Sequence, residues 1–218
     1  AAHLDFSLII LSDLALLAPA VAALLKKFPD DFLYGSIAAD ITVGKNFSPY
    51  HLHCHNWQVG FSVLDLAEVD LSDVGEGDWV LLSSLFLVKA YSGEALRRVA
   101  TEARERGARV AMDLSWDCGG EWDEKTLSLE LADVVLGNHM EFMAVACSND
   151  LDRAVERMMG SGVRALIVKM GSEGARLVTA DGVDVTVGAP SVEAVNATGT
   201  GDVFNAALLV ALSGGRPM

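Results

Sequence analysis

The apolar positions of this chain change their period near residue 68. Before that point they come in long stretches. Leu8 to Phe28 reads as a helix, Pro29-Asp30-Asp31 interrupts it, and a second helical patch runs from Phe32 to Asp40. A polar loop with Gly44, Asn46, Ser48 and Pro49 leads into His51-Leu52-His53-Cys54-His55-Asn56-Trp57, after which Val59 to Leu66 reads as helix again. Beyond residue 68, short apolar runs alternate with amphipathic ones. Trp79–Leu82, Val110–Asp113, Val134–Gly137 and Ala165–Val168 have the composition of strands buried on both faces. Glu94 to Arg106 is an amphipathic helix with Gly107 just past its end; Asp150 to Gly160 and Gly201 to Leu212 are further helices. Ala175–Thr179 and Val183–Val187 flank Asp181-Gly182, a hairpin signal. Strand and helix in alternation, with short connections, predict an α/β fold: a three-layer parallel sheet with helices on both faces. A small helical, histidine-containing segment over residues 1–68 precedes it, and the α/β unit occupies 69–218.

Composition agrees with a folded soluble protein, since 51% of the 218 residues are apolar and 21% are charged. The formal net charge of -14 gives a field that repels nucleic acid and anionic membrane, so neither is expected as a partner. It leaves room for an anionic ligand held by backbone dipoles and a metal ion. Cys54, Cys118 and Cys147 are widely spaced and form no CxxC pair, which argues against a disulfide framework and for a reducing cytoplasm. The run Leu8 to Leu25 contains Asp13 and Pro19 and has no basic segment before it. A spanning helix or signal peptide is therefore the weaker reading there, despite Ala18-Pro19-Ala20.

Chemistry enters at Gly199 and Gly201, immediately before the last helix. Glycine lets backbone approach a ligand closely, and a helix start presents free N–H groups with a positive dipole end. A transferring phosphoryl group would be stabilised there, and the Asp202 carboxylate in the first turn could take the proton of an attacking hydroxyl. The simpler alternative is a capped helix, with Thr198 or Thr200 as cap and Asp202 complementing the dipole.

The flanking residues add to this. Asn196-Ala197-Thr198-Gly199-Thr200-Gly201-Asp202-Val203-Phe204-Asn205-Ala206 resembles the second signature of the ribokinase (PfkB) carbohydrate-kinase family, usually D-T-x-G-A-G-D-x-F-x-A. Asn138-His139-Met140-Glu141 resembles its N-x-x-E motif, and Val168 to Ala175 its strand-and-glycine turn beside the nucleotide. Asp113 falls where the family often has D-P-N. The resemblance covers about 69–218 and implies a ribokinase-like, Rossmann-like fold. It implies Asp202 as catalytic base and Gly199, Thr200 and Gly201 as the anion hole. Asn138, Lys169, Gly171 and Gly174 would lie at the nucleotide, and Glu141 would act on Mg2+ through water. Asn138 and Glu141 also fit a capping box at a helix start, which is compatible with that role.

The chain departs from the pattern at Asn196 and Ala197, where Asp and Thr are usual, and at Asp113-Leu114-Ser115. The family's opening strand, Gly-Gly substrate motif and lid strands have no equivalent, and Met218 comes before its last helices. Phe32 to Asp40 with His51, His53, His55 and Trp57 instead resembles the N-terminal part of bacterial zinc-dependent phospholipase C-like proteins. That resemblance makes His3, Asp40 and His53 or His55 candidate zinc ligands. A polar loop with hydrogen-bonded histidines is the alternative, because His139 is the only later histidine.

The expected function is ATP- and Mg2+-dependent phosphoryl transfer to a hydroxyl of a sugar or sugar-like alcohol, weak or absent in this chain for want of a lid. The alternatives are a Zn2+-dependent phosphoesterase acting through the front segment, and a non-catalytic nucleotide-binding protein. Uncovered sheet edges predict a homo-oligomer.

Overall fold

A computed structural model describes residues 71–83, 85–86, 94–115, 122, 128–192 and 200–215. The front helices, the histidine cluster and the loop 193–199 lie outside the described residues. Contacts separate 61–218 as a compact unit, and the description below concerns that unit.

Six strands form one sheet in the order β1 (Trp79–Leu82), β2 (Arg109–Asp113), β3 (Val134–Asn138), β4 (Ala165–Lys169), β5 (Ala175–Thr179) and β6 (Asp184–Val187). The first four run parallel, with Leu81 opposite Ala111, Met112 opposite Val135 and Leu136 opposite Ile167. The last two add the expected hairpin, antiparallel to β4 and to each other. The sheet is therefore mixed, with a parallel four-stranded body; the short turns at residues 171–174 and 180–182 reverse the chain, because parallel strands need a long crossover.

Helix α1 (Glu94–Glu105) turns Leu96, Val99, Ala100 and Ala103 inward at helical spacing, and Gly107 at φ 85° closes it. Helix α2 (His139–Val145) follows β3 directly, and α3 (Leu151–Gly160) starts at Asp150, whose carboxylate accepts the Arg153 N–H at 2.9 Å. Helix α4 (Thr200–Ser213) is the last element. Alternate strand residues sort these helices onto two faces. Val110, Met112, Val135, Leu166 and Val168 share one cluster with Leu96, Val99, Phe142, Val145, Val155 and Met158. Ala111, Val134, Leu136, Ala165 and Ile167 form the other, with Phe204, Leu208 and Leu209 of α4 packed against it. Each large side chain buried in this way contributes about 1.5–3 kcal/mol.

Two ionic groups tie the edges. At the amino end of β3, buried Asp133 accepts the Val110 N–H at 2.9 Å and meets Arg104 at 3.3 Å and Arg164 at 3.1 Å. On the hairpin, Arg176 donates bidentately to Asp184 at 2.8 Å and reaches Asp152 of α3 at 2.5 Å. These bonds hold the Arg176 guanidinium well above its ordinary pKa and the Asp184 carboxyl below its own. β6 is an exposed edge strand, with Val185 and Val187 open to solvent. Among the described residues no helix is long and apolar enough to cross a membrane.

The turn after β4 depends on Gly174, which sits at φ 98° and ψ -135°. A Cβ there would lie 1.9 Å from the Val187 carbonyl oxygen. Gly174→Ala is thus expected to destabilise by about 2–4 kcal/mol, through backbone strain and displacement of β6. Urea unfolding checks this, and a midpoint equal to that of the parent chain would refute it.

Candidate functional site

The carboxyl ends of β2, β3 and β4 bring together residues far apart in sequence. Asp113 ends β2, Asn138 ends β3 and Lys169 ends β4. In open α/β sheets this end is where ligands bind. The Lys169 ammonium donates to Asp113 Oδ1 at 2.7 Å and to Asn205 Oδ1 on α4 at 3.3 Å. The two charged side chains are 16% and 8% exposed, so this is a buried ion pair. Taking away one partner of such a pair costs about 3–5 kcal/mol, because the other charge is left unmatched. Ser115, at φ 56°, donates its hydroxyl to the second Asp113 oxygen at 3.4 Å.

Lys169 extends onto the α4 face, as the alternation from Ala165 and Ile167 requires. A Cβ on Gly201 would stand 3.4 Å from its ammonium, so the first turn of α4 lies directly over the charge. Asn205 is 0% exposed, and among the described residues its Nδ2 has no hydrogen-bond partner. An unpaired buried donor costs about 1–3 kcal/mol. Asp202 is exposed in the same first turn.

Glu141 is held by the start of α2. Asn138 Oδ1 accepts the Glu141 N–H at 2.9 Å, and Glu141 Oε2 accepts the Asn138 N–H at 2.7 Å, completing a capping box. Glycine at 137 makes this possible, since a Cβ there would meet Leu114 at 3.0 Å and Glu141 Oε2 at 3.2 Å. Burial pushes the Glu141 carboxyl above its ordinary value; the Asn138 N–H opposes this, the Asp113 charge adds to it, and Lys169 pulls back.

Among the described residues, the sequence-predicted Asn138 and Lys169 lie at strand ends, Glu141 lies at the start of α2, and Thr200, Gly201 and Asp202 lie at the start of α4. Gly171 and Gly174 form the short turn between β4 and β5, where the Met170 N–H reaches the Gly174 carbonyl at 2.8 Å. Gly199, His3, Asp40, His53 and His55 lie outside the described residues. Sequence reasoning missed Asn205. Its signal was present: Asn205, Leu208, Leu209 and Leu212 share one helical stripe, and a polar residue on an apolar stripe marks a buried contact. Among the described residues no three His, Cys, Asp or Glu side chains converge as a complete metal cage.

A family model described as pfkB family carbohydrate kinase matches residues 56–218, and one described as zinc dependent phospholipase C matches residues 2–86. Where the two overlap, β1 is hydrogen-bonded into the parallel sheet. Aminoimidazole riboside kinase of Salmonella typhimurium is 29% identical over 150 residues, covering 66% of this chain and 47% of the relative. The crystal structure of adenosine kinase from Sinorhizobium meliloti is similar at a TM-score of 0.61 and 28% identity, over 71% of this chain and 48% of that one. Aminoimidazole riboside kinase from Salmonella enterica, complexed with aminoimidazole riboside and an ATP analogue, gives 0.58 and 26%, over 68% and 51%. The chain spans about half the length of the curated relatives it matches.

A carboxyl whose folded pKa is raised binds its proton more tightly folded than unfolded. Its stability contribution is complete below the ordinary value of 4.5 and is lost as pH rises through the folded value. Glu141→Gln keeps an acceptor for the Asn138 N–H without the charge. The variant is expected to melt roughly 2–4 °C above the parent near neutral pH, as about 1 kcal/mol gives a chain of this size, with the gap closing near about pH 4. Melting curves across pH check this; a gap that widens in acid would contradict it.

Proposed function

The chain belongs to the pfkB family of carbohydrate kinases, and from that premise we propose that its α/β unit, residues 69–218, carries ATP-dependent phosphoryl transfer to a hydroxyl of a sugar or sugar-like alcohol. The observation that supports this most is the convergence of Asp113, Lys169, Asn205 and Gly201 beneath the start of α4. The helix start offers N–H groups and a positive dipole end to a phosphate. In the proposed step the acceptor oxygen bonds to the γ-phosphorus, the bond to the ADP oxygen breaks, and Asp202 takes the hydroxyl proton. Gly199, Thr200 and Gly201 would donate N–H groups to the charge that develops on the phosphoryl oxygens. Asn138, Gly171 and Gly174 border the nucleotide in this reading.

The buried donors near this end suit Mg2+. Glu141 is a buried carboxylate, and magnesium is usually held by one or two carboxylates while keeping waters and phosphate oxygens. Glu141 would hold it through water, and a bound ion would supply positive charge that offsets the charge of the phosphates.

A second reading is favoured by the match over residues 2–86: a Zn2+-dependent phosphoesterase-like segment, 1–68, with His3, Asp40, His53 and His55 as ligands. A cytoplasmic location is proposed from the widely spaced, unpaired cysteines. The exposed β6 edge and its valines support a homo-oligomer that covers them.

Purified chain is expected to bind ATP with Mg2+, and to turn it over with a sugar panel far below the ~1–100 per second of typical kinases. Asp202→Ala should retain nucleotide affinity while removing the residual turnover. Calorimetry and coupled ADP release measure the two; equal turnover in both chains would exclude Asp202 as the base. Elemental analysis and light scattering of the same preparation test the remaining readings, with absent zinc removing the second and a clean monomer removing the oligomer.

A further inference from the structure

Two features under α4 run against local stability. The Lys169 ammonium lies against the first turn of α4, where the positive end of the helix dipole disfavours a cation. Asn205 spends a fully buried position on the apolar stripe of that helix and leaves its Nδ2 unpaired. An aliphatic side chain there would join Phe204, Leu208 and Leu209 against the sheet. Both features meet at one contact, the 3.3 Å bond from Lys169 to Asn205 Oδ1. The amide orientation follows from charge, since an ammonium has donors alone and must face the oxygen.

We propose that Lys169 and Asn205 are positioning residues. Asp113, at 2.7 Å, fixes the ammonium on the rigid ends of the sheet. The ammonium then holds the amide one turn inside α4. This sets both the rotation and the axial position of the helix, so that its first-turn N–H groups and Asp202 address one point. A purely apolar contact would let the helix slide or roll, because hydrophobic packing has no direction. Lys169 in this account works from behind the helix, in place of the nucleotide contact that the family resemblance implies, and its charge adds to the dipole in drawing an anion to the far side. The proposal rests on the nucleotide-kinase reading of the site.

Three variants test it, with the melting temperature as a check on folding. The readouts are affinity for ATP with Mg2+ and hydrogen exchange of the α4 amides. Lys169→Met alone strands a buried carboxylate and risks misfolding, so it is paired with Asp113→Asn, which removes both charges together. The double variant is expected to stay folded, with α4 amides exchanging at least about tenfold faster while those of α1 and α3 hold. Its ATP affinity should fall by about tenfold or more, and Lys169→Arg should recover most of it. Asn205→Leu should melt no lower than the parent, yet bind ATP about tenfold more weakly, a split that a merely structural role would not produce. Unchanged α4 exchange in the double variant, or parental affinity in Asn205→Leu, would overturn the proposal while leaving the kinase reading in place. A parent chain that binds no ATP, but whose α4 exchange still answers to Lys169, would support the clamp and remove the kinase reading.

Discussion

A parallel sheet has to be shielded from water on both faces, and among the described residues the shielding is unequal. Helices α1, α2 and α3 pack on one side, whereas α4 packs on the other. The placement of the whole site follows from this constraint. The helix that must cover the second face is also the helix whose first turn carries Asp202, so covering the sheet and aiming that first turn are one structural event. Small residues on the strands beneath, Ala111 and Ala165, let α4 come close.

The charges at the carboxyl end are arranged around one ammonium and two buried carboxylates, Asp113 at 6% and Glu141 at 7% exposure. Lys169 bonds to Asp113 directly and acts on Glu141 only through its field. Glu141 is consequently left with more burial than compensation. Such an imbalance is costly in a resting protein and useful in one that takes up a cation beside a phosphate. The opposite end of the sheet shows the contrast: Asp133 is satisfied by two arginines and a backbone N–H, with no donor left wanting.

Much of this was legible in the sequence. Trp79–Leu82 and Ala165–Lys169 declare themselves as strands because apolar runs of that length fit a strand covered on both faces. Asp181-Gly182 announces the hairpin because glycine accepts the positive φ, 93° at Gly182, that its turn needs. Asn138 announces a helix start through its capping-box spacing to Glu141. Motif spacing singled out Asp113, Glu141, Lys169 and Asp202 as candidates. What it could not give was partnership. Lys169 reads in sequence as a neighbour of the Gly171 turn, yet its ammonium bonds Asp113, 56 positions earlier, and Asn205, 36 positions later. Pairings of that kind are set by strand order and by which face a helix covers. Asn205 was overlooked for a related reason: one amide among leucines carries meaning only when the opposing surface is known.

Arg176 has a further consequence. It grips Asp184 on the outermost strand and Asp152 on α3, and both carboxylates stand largely in solvent. The attachment of β6 to the rest of the sheet is therefore partly a matter of ionic strength, since added salt screens exposed pairs and leaves apolar burial untouched. Salt would loosen the outer hairpin while the four parallel strands stay closed.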